Sequence, residues 1–163
     1  MECDISLGDM MLGNLVFTEK KNFLSESECI NLIDVYKKNE NQSYSYRDTF
    51  PLNLTSLSPI ADDILHECKK YDENILLETC QIVKWPTGSF MKPHKDPPGD
   101  VFAAIVYLND DYIGGETCFD DMEIIPETGK LVVFSNHEIL HWVNRIENAT
   151  RYTLALWFTR NVK

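Results

Sequence analysis

His94, Asp96, His141 and Arg151 have residue types and spacing that could do chemistry together. His94 and Asp96 close a strand-like segment, Ser89-Phe-Met-Lys-Pro-His-Lys-Asp. A spacing of two puts both side chains on one face of an extended chain, so an imidazole and a carboxylate reach the same point. One further histidine from a neighbouring strand completes a facial set of two histidines and one carboxylate. Such a set leaves three metal positions open, which non-haem iron(II) sites use for a bidentate cosubstrate and dioxygen. Alone, the His-x-Asp pair also fits an incidental histidine in a surface turn. His141, in Ile139-Leu-His-Trp-Val, is the candidate third donor. Its rival His137 follows the polar break Phe134-Ser-Asn and falls in a connecting loop, while His66, beside Asp62, Asp63 and Glu67, reads as structural.

Arg151 opens the apolar run Tyr-Thr-Leu-Ala-Leu-Trp-Phe. An arginine that starts a buried strand must find an anion, and its planar fork suits a carboxylate held bidentately in a way lysine cannot match. Two partners are open: a structural ion pair with one of the many acidic side chains, or a dicarboxylic cosubstrate that chelates the metal at one end and meets Arg151 at the other.

The elements that must position these groups divide the chain in two. Ser25-Glu-Ser-Glu28 is a capping box, and Cys29, Leu32, Ile33 and Tyr36 follow at helical spacing, which predicts a helix over 26–38. Ser58-Pro59 starts a second helix with apolar positions at Ile60, Ile64, Leu65, Cys68 and Tyr71. From about Leu76 the pattern becomes strand-like. The runs Val101–Leu108, Leu131–Phe134 and Tyr152–Phe158 are punctuated by turn signals at 86–88, 97–99, 114–115 and 126–129. The expectation is a single domain over 1–163, with 1–75 mainly helical support and 76–163 the core, a small antiparallel β-barrel with helices against one side.

Composition sets the surroundings. A hydrophobic fraction of 44% fits a folded domain. A net charge of −11 repels phosphate backbones, so nucleic acid is not an expected partner. No apolar run approaches the ~20 residues of a membrane helix, and the N-terminus lacks the basic and apolar parts of a secretory signal. The five scattered cysteines read as free thiols in a reducing compartment, and the expected location is cytoplasmic.

In order along the chain, several segments resemble one family. They are Lys21-Asn-Phe-Leu-Ser-Glu-Ser-Glu-Cys-Ile, Phe90-Met-Lys-Pro-His94-Lys-Asp96, Tyr107-Leu-Asn and Gly114-Gly-Glu-Thr-Cys-Phe119. Pro126-Glu-Thr-Gly129-Lys-Leu-Val-Val-Phe134, His141 and Arg151-Tyr-Thr-Leu-Ala-Leu-Trp157-Phe follow. The chain is similar to the prolyl 4-hydroxylase-like group of 2-oxoglutarate- and iron(II)-dependent oxygenases. The resemblance implies a double-stranded β-helix (jelly-roll) core with flanking helices. It also implies iron held by His94, Asp96 and His141, and Arg151 binding the distal carboxylate of 2-oxoglutarate with help from the Tyr107 hydroxyl and Thr153. The implied reaction couples decarboxylation of 2-oxoglutarate, giving succinate and CO2, to hydroxylation of a C–H bond by dioxygen, with ascorbate as a possible reductant. Arg151 stands where collagen-type members carry lysine, and Trp85 where the oxygen-sensing relatives usually carry tyrosine.

For the substrate, the resemblance implies a prolyl residue in a protein or peptide. A free amino acid or other small molecule is the alternative, and a non-catalytic jelly-roll binding protein the competing class. A demethylase of nucleic acid would carry a second arginine where this chain has Trp157. Trp85 and Trp157 are readable either as core or as substrate contacts. The polar, aromatic stretch from Asn39 to Thr55, with Tyr44, Tyr46, Arg47 and Phe50, is readable as a helix–helix connector or as a recognition lid.

Overall fold

The computed structural model describes residues 9–12, 15–55 and 58–160, so Cys3 and the N-terminal stretch read for a signal lie outside it. In chain order the strands are β1 (Asp9–Leu12), β2 (Leu15–Lys20), β3 (Phe50–Asn53), β4 (Ile75–Trp85), β5 (Met91–His94), β6 (Asp100–Tyr107), β7 (Thr117–Phe119), β8 (Met122–Ile124), β9 (Leu131–Phe134), β10 (His141–Val143) and β11 (Arg151–Arg160). Two helices, α1 (Glu26–Lys38) and α2 (Ser58–Lys69), separate β2, β3 and β4. The strands form a seven-stranded sheet in the order β1-β2-β9-β6-β11-β4-β3 and a four-stranded sheet in the order β5-β10-β7-β8, with antiparallel pairing throughout. This is the double-stranded β-helix expected from the sequence.

Helix α1 occupies the predicted span. Ser25 accepts from the Glu28 N–H at 3.1 Å while the Glu28 carboxylate accepts from the Ser25 N–H at 3.0 Å, which satisfies two of the free donors at the helix start. The first 75 residues do more than supply helices, because β1, β2 and β3 all join the large sheet. The connector reading of residues 39–55 is corrected accordingly: Phe50–Asn53 is the sheet's edge strand, paired with β4.

The large sheet is buried on both faces, which explains why its strands read as nearly continuous apolar runs rather than alternating ones. Along β11, Leu154, Leu156 and Phe158 join Ile82, Val106 and Val133 against Cys29, Leu32 and Tyr36 of α1 and Ile64 and Cys68 of α2. The alternate positions face the small sheet. There Ala103, Tyr107 and Phe134 pack with Phe119 and Ile124, and Val83, Trp85 and Ala155 pack with Val143. The helices thus cover one face and leave the other free to build a cavity between the sheets. Cys29, Cys68, Cys80 and Cys118 are buried, unbridged thiols. No helix among the described residues is long and apolar enough to cross a membrane.

Leu154 is fully buried at the junction of helices and sheet. Leu154→Ala is expected to cost about 2–5 kcal/mol of stability, read as a lower urea midpoint with an unchanged slope.

Candidate metal centre

Strand β10 runs antiparallel to β5, and their register sets His141 beside His94. Two residues past His94, the Asp96 N–H donates to the Asn136 carbonyl at 3.0 Å, which holds the turn against the end of β9. The three side chains converge: one donor atom from each lies within 4.8 Å of the others. Asp96 Oδ1 is 3.4 Å from His94 Nε2 and 3.7 Å from His141 Nε2. The other ring nitrogens are engaged with backbone, His94 Nδ1 with the Lys92 carbonyl at 2.7 Å and His141 Nδ1 with the Ile139 carbonyl at 2.8 Å. A ring that donates from Nδ1 turns its Nε2 toward Asp96, and that nitrogen offers its lone pair to a metal once it gives up its proton. His137 lies in the loop after β9 with Nε2 3.2 Å from Glu138 Oε1, and His66 sits on α2 away from the cluster.

The second oxygen of Asp96 has its own partners. Oδ2 accepts from Asn136 Nδ2 at 2.8 Å and from the Trp157 indole at 3.3 Å, which leaves Oδ1 for the histidine side. Burial alone would raise the Asp96 carboxyl, but hydrogen bonds from His141, His94 and Asn136 outweigh it and hold the group well below the usual carboxylate range. The Asp96 hydrogen bond in turn raises His94, against an opposing effect of burial. Asn136, fully buried, is a positioning residue that sequence reasoning missed; the polar break Ser135-Asn136 after an apolar strand was its one signal.

Arg151 opens β11 directly opposite Trp85 at the end of β4, so both side chains stand on the cavity face. The guanidinium is 1% exposed. Its carbon lies 4.7 Å from the Trp85 ring and 5.3 Å from the Tyr107 ring, and Nη2 donates to Thr117 Oγ1 at 3.4 Å. No acidic side chain among the described residues forms an ion pair with it, which removes the structural salt bridge that the sequence left open. Three buried polar atoms in this neighbourhood lack a hydrogen-bond partner: Arg151 Nε, Trp85 Nε1 and Tyr112 Oη. Gly115, at φ +71°, lets the chain pass close by, since a Cβ there would fall 2.8 Å from Tyr112 and 3.1 Å from Arg151 Cδ. Tyr107 is fully buried, and its hydroxyl is bonded to Thr117 Oγ1 at 2.5 Å. Thr117 and Thr153 line the cavity.

One cavity of about 470 Å³ joins these groups. Its floor carries His94, Asp96, His141, Arg151 and Thr153, and its walls include Trp85, Phe134 and Trp157. The 39–55 stretch supplies Tyr44, Tyr46, Arg47 and Thr49 to the same cavity. Gln81 on β4 anchors it by donating to Tyr44 Oη at 2.6 Å. The tight turn bridged by Tyr46 and Thr49 carries Arg47 at its tip, with Nη1 2.9 Å from Met91 Sδ on β5. Opposite, register shifts in β4 and β6 flank Trp157 and Phe158, at Glu78 and Val101, and β-bulges of this kind re-aim side chains. Glu78 and Asp100 both line the cavity, and burial together with a hydrogen bond to Glu78 pushes the Asp100 carboxyl up to about 6. The sequence carried no local signal for this pair.

Two histidines and a carboxylate converging in one cavity with a buried, unmatched guanidinium are the mark of a metal site that takes a chelating, anionic cosubstrate. Comparison with known proteins gives the same class. Residues 80–159 match the model of the 2OG-Fe(II) oxygenase superfamily, and this part of the chain is a domain of that superfamily. Prolyl 3-hydroxylase 2 of Rattus norvegicus is 37% identical over 76 residues, an alignment covering 40% of this chain and 11% of the rat protein. The chain thus spans about a tenth of the length of the curated relatives it matches. The viral collagen prolyl hydroxylase of Paramecium Bursaria Chlorella virus-1, solved as a 2OG complex, superposes with a TM-score of 0.74 at 21% identity over 90% of this chain and 96% of that one. A Pseudomonas putida prolyl-4-hydroxylase gives 0.72 at 20% identity over 88% and 92%. These likenesses establish the fold. The superfamily uses Fe(II) and 2-oxoglutarate, and the residues here fit both: three convergent donors for the metal, and unpartnered buried donors beside Arg151 for a carboxylate.

Asn136→Ala is expected to weaken Co(II) or Zn(II) binding by about 10- to 100-fold, measured by competition with a chelator. Because His94 is raised above the ordinary histidine value of about 6.5, protons compete with the metal from above that value. Metal affinity is therefore expected to be greatest above pH 7 and to fall as the pH is lowered through 7 to 6.

Proposed function

We propose that this chain is a 2-oxoglutarate- and iron(II)-dependent dioxygenase that hydroxylates a C–H bond, with a prolyl residue of a protein or peptide as substrate. One observation carries the reading: Arg151, 1% exposed and without a carboxylate partner, lines the same cavity as His94, Asp96 and His141. A non-catalytic jelly roll has no reason to keep a buried charge unmatched beside a complete donor set.

The overall change is substrate C–H plus 2-oxoglutarate plus dioxygen to substrate C–OH plus succinate plus CO2. Bound Fe(II) would activate dioxygen, which is the oxidant. The protein contributes geometry. His94, Asp96 and His141 hold the metal, with orientations fixed by the Lys92 and Ile139 carbonyls, Asn136 and Trp157. Arg151, with Thr117 and Thr153 on the same wall, holds the far carboxylate of 2-oxoglutarate, and Tyr107 acts through Thr117 by fixing its hydroxyl. Trp157 has a stated partner in Asp96, so its body borders the substrate space while its N–H serves the metal side.

The substrate enters past Tyr44, Tyr46 and Arg47. Aromatic side chains at a groove suit a proline-containing segment, whose extended form costs little ordering entropy. The prolyl hydroxylase relatives support the same substrate class. A free amino acid is the second reading, favoured by opposite charges on the cavity wall, Arg47 on the lid and the Glu78–Asp100 pair across from it.

Incubation with Fe(II), 2-oxoglutarate, ascorbate and a proline-rich peptide library should yield succinate and peptides heavier by one oxygen. Oxygen gain in free amino acids alone would favour the second reading, and no succinate above a His94→Ala control with either would refute catalysis. Arg151→Ala is expected to raise the KM for 2-oxoglutarate by about 10- to 100-fold, the loss of one or two charge-assisted hydrogen bonds, while metal affinity changes little.

A further inference from the structure

Trp85 is 8% exposed and lines the cavity, yet its indole N–H has no acceptor. Buried indole N–H groups find partners, because a donor withdrawn from water without an acceptor loses the hydrogen bond that water gave it. Val83, Val143, Ile146 and Ala155 of the same cluster are hydrocarbon, and its one hydroxyl, Tyr112 Oη, forms no hydrogen bond with the indole. The acceptor must therefore come from whatever enters the cavity. The guanidinium of Arg151 lies 4.7 Å from the same ring, is its direct cross-strand partner, and also has an unmatched Nε. Indole and guanidinium are both donors with no acceptor atom. A ligand that satisfies both must present acceptors alone.

We infer that Trp85 is a cosubstrate-binding and specificity-determining residue, donating from Nε1 to the same carboxylate that Arg151 holds. The inference rests on the function proposed above. The pair offers donors alone, which favours a carboxylate over an amide at that position, since each amide N–H2 placed against them loses a hydrogen bond. This gives the indole a task that a hydroxyl, able to accept as well as donate, would perform less selectively.

The test uses the full chain, labelled with 15N and loaded with Zn(II) as a diamagnetic stand-in. The Trp85 indole resonance is assigned by its contacts to the Val83 and Ala155 methyl groups. On titration with 2-oxoglutarate it is expected to move downfield and saturate together with the calorimetric binding curve. The C5 amide of 2-oxoglutarate is expected to bind at least tenfold more weakly. Trp85→Phe should bind 2-oxoglutarate about tenfold more weakly, the loss of one hydrogen bond to a charged group, and should lose part of the discrimination against the amide. An indole resonance that stays in place while 2-oxoglutarate saturates the protein would overturn the inference. That readout uses the unaltered sequence, so a folding defect in Trp85→Phe does not weaken it. A flat calorimetric titration with the parent would instead overturn the underlying assignment of 2-oxoglutarate, a distinguishable result.

Discussion

A guanidinium withdrawn from water without an anion beside it carries a desolvation cost that this protein only partly offsets. Arg151 has two aromatic faces and one threonine hydroxyl, and no carboxylate. Aromatic faces attract a cation by about 0.5–2 kcal/mol each, well short of what water provided. A guanidinium left in this state has more to gain from meeting a carboxylate than one already paired. Much of the surrounding architecture follows from tolerating that charge. Gly115 clears room for the arginine stem, the Tyr107–Thr117 bond fixes the hydroxyl it reaches, and Trp85 closes one side.

The two faces of the large sheet make this arrangement affordable in packing terms. Leu154, Leu156 and Phe158 of β11 lie in the helix-covered core, while Arg151, Thr153, Ala155 and Trp157 of the same strand face the cavity. One strand therefore holds Arg151 at its start and the Asp96-supporting indole six residues on. Its position is fixed by hydrophobic contacts on the opposite face, remote from any ligand. The helices contribute no cavity residue, and their role is to press the sheet into shape.

The sequence disclosed the chemistry more readily than the architecture around it. The His94–Asp96 spacing, His141 and Arg151 were legible because strand periodicity and charge burial leave marks in a linear string. The capped helix at 26–38 and the run Leu131–Phe134 were legible for similar local reasons. Strands β7, β8 and β10, three residues each, were not, since so short a segment carries no period of its own and exists through its neighbours. Asn136 was invisible because its function depends on a carboxylate 40 positions away. Glu78 and Asp100 meet only through register shifts on two strands flanking a third, a relation that no single segment contains. Tyr107 was assigned a direct contact by resemblance, and the bond between its hydroxyl and Thr117 Oγ1 had no mark in the sequence.

Strand β5 has a mechanical consequence. It is a four-residue edge strand, joined on one side to β10 and carrying Pro93, which has no N–H to give to a ladder. Edge segments of this kind open most readily. Yet β5 contributes His94, whose partner ligand His141 belongs to the interior strand β10. A metal ion shared between them is a removable staple across the weakest seam of the small sheet. At a free metal concentration a hundred times the dissociation constant, it would resist opening by about 2.7 kcal/mol more than the polypeptide alone. The supply of metal to the cell would then govern how long this seam stays shut to proteases, quite apart from how fast the centre turns over.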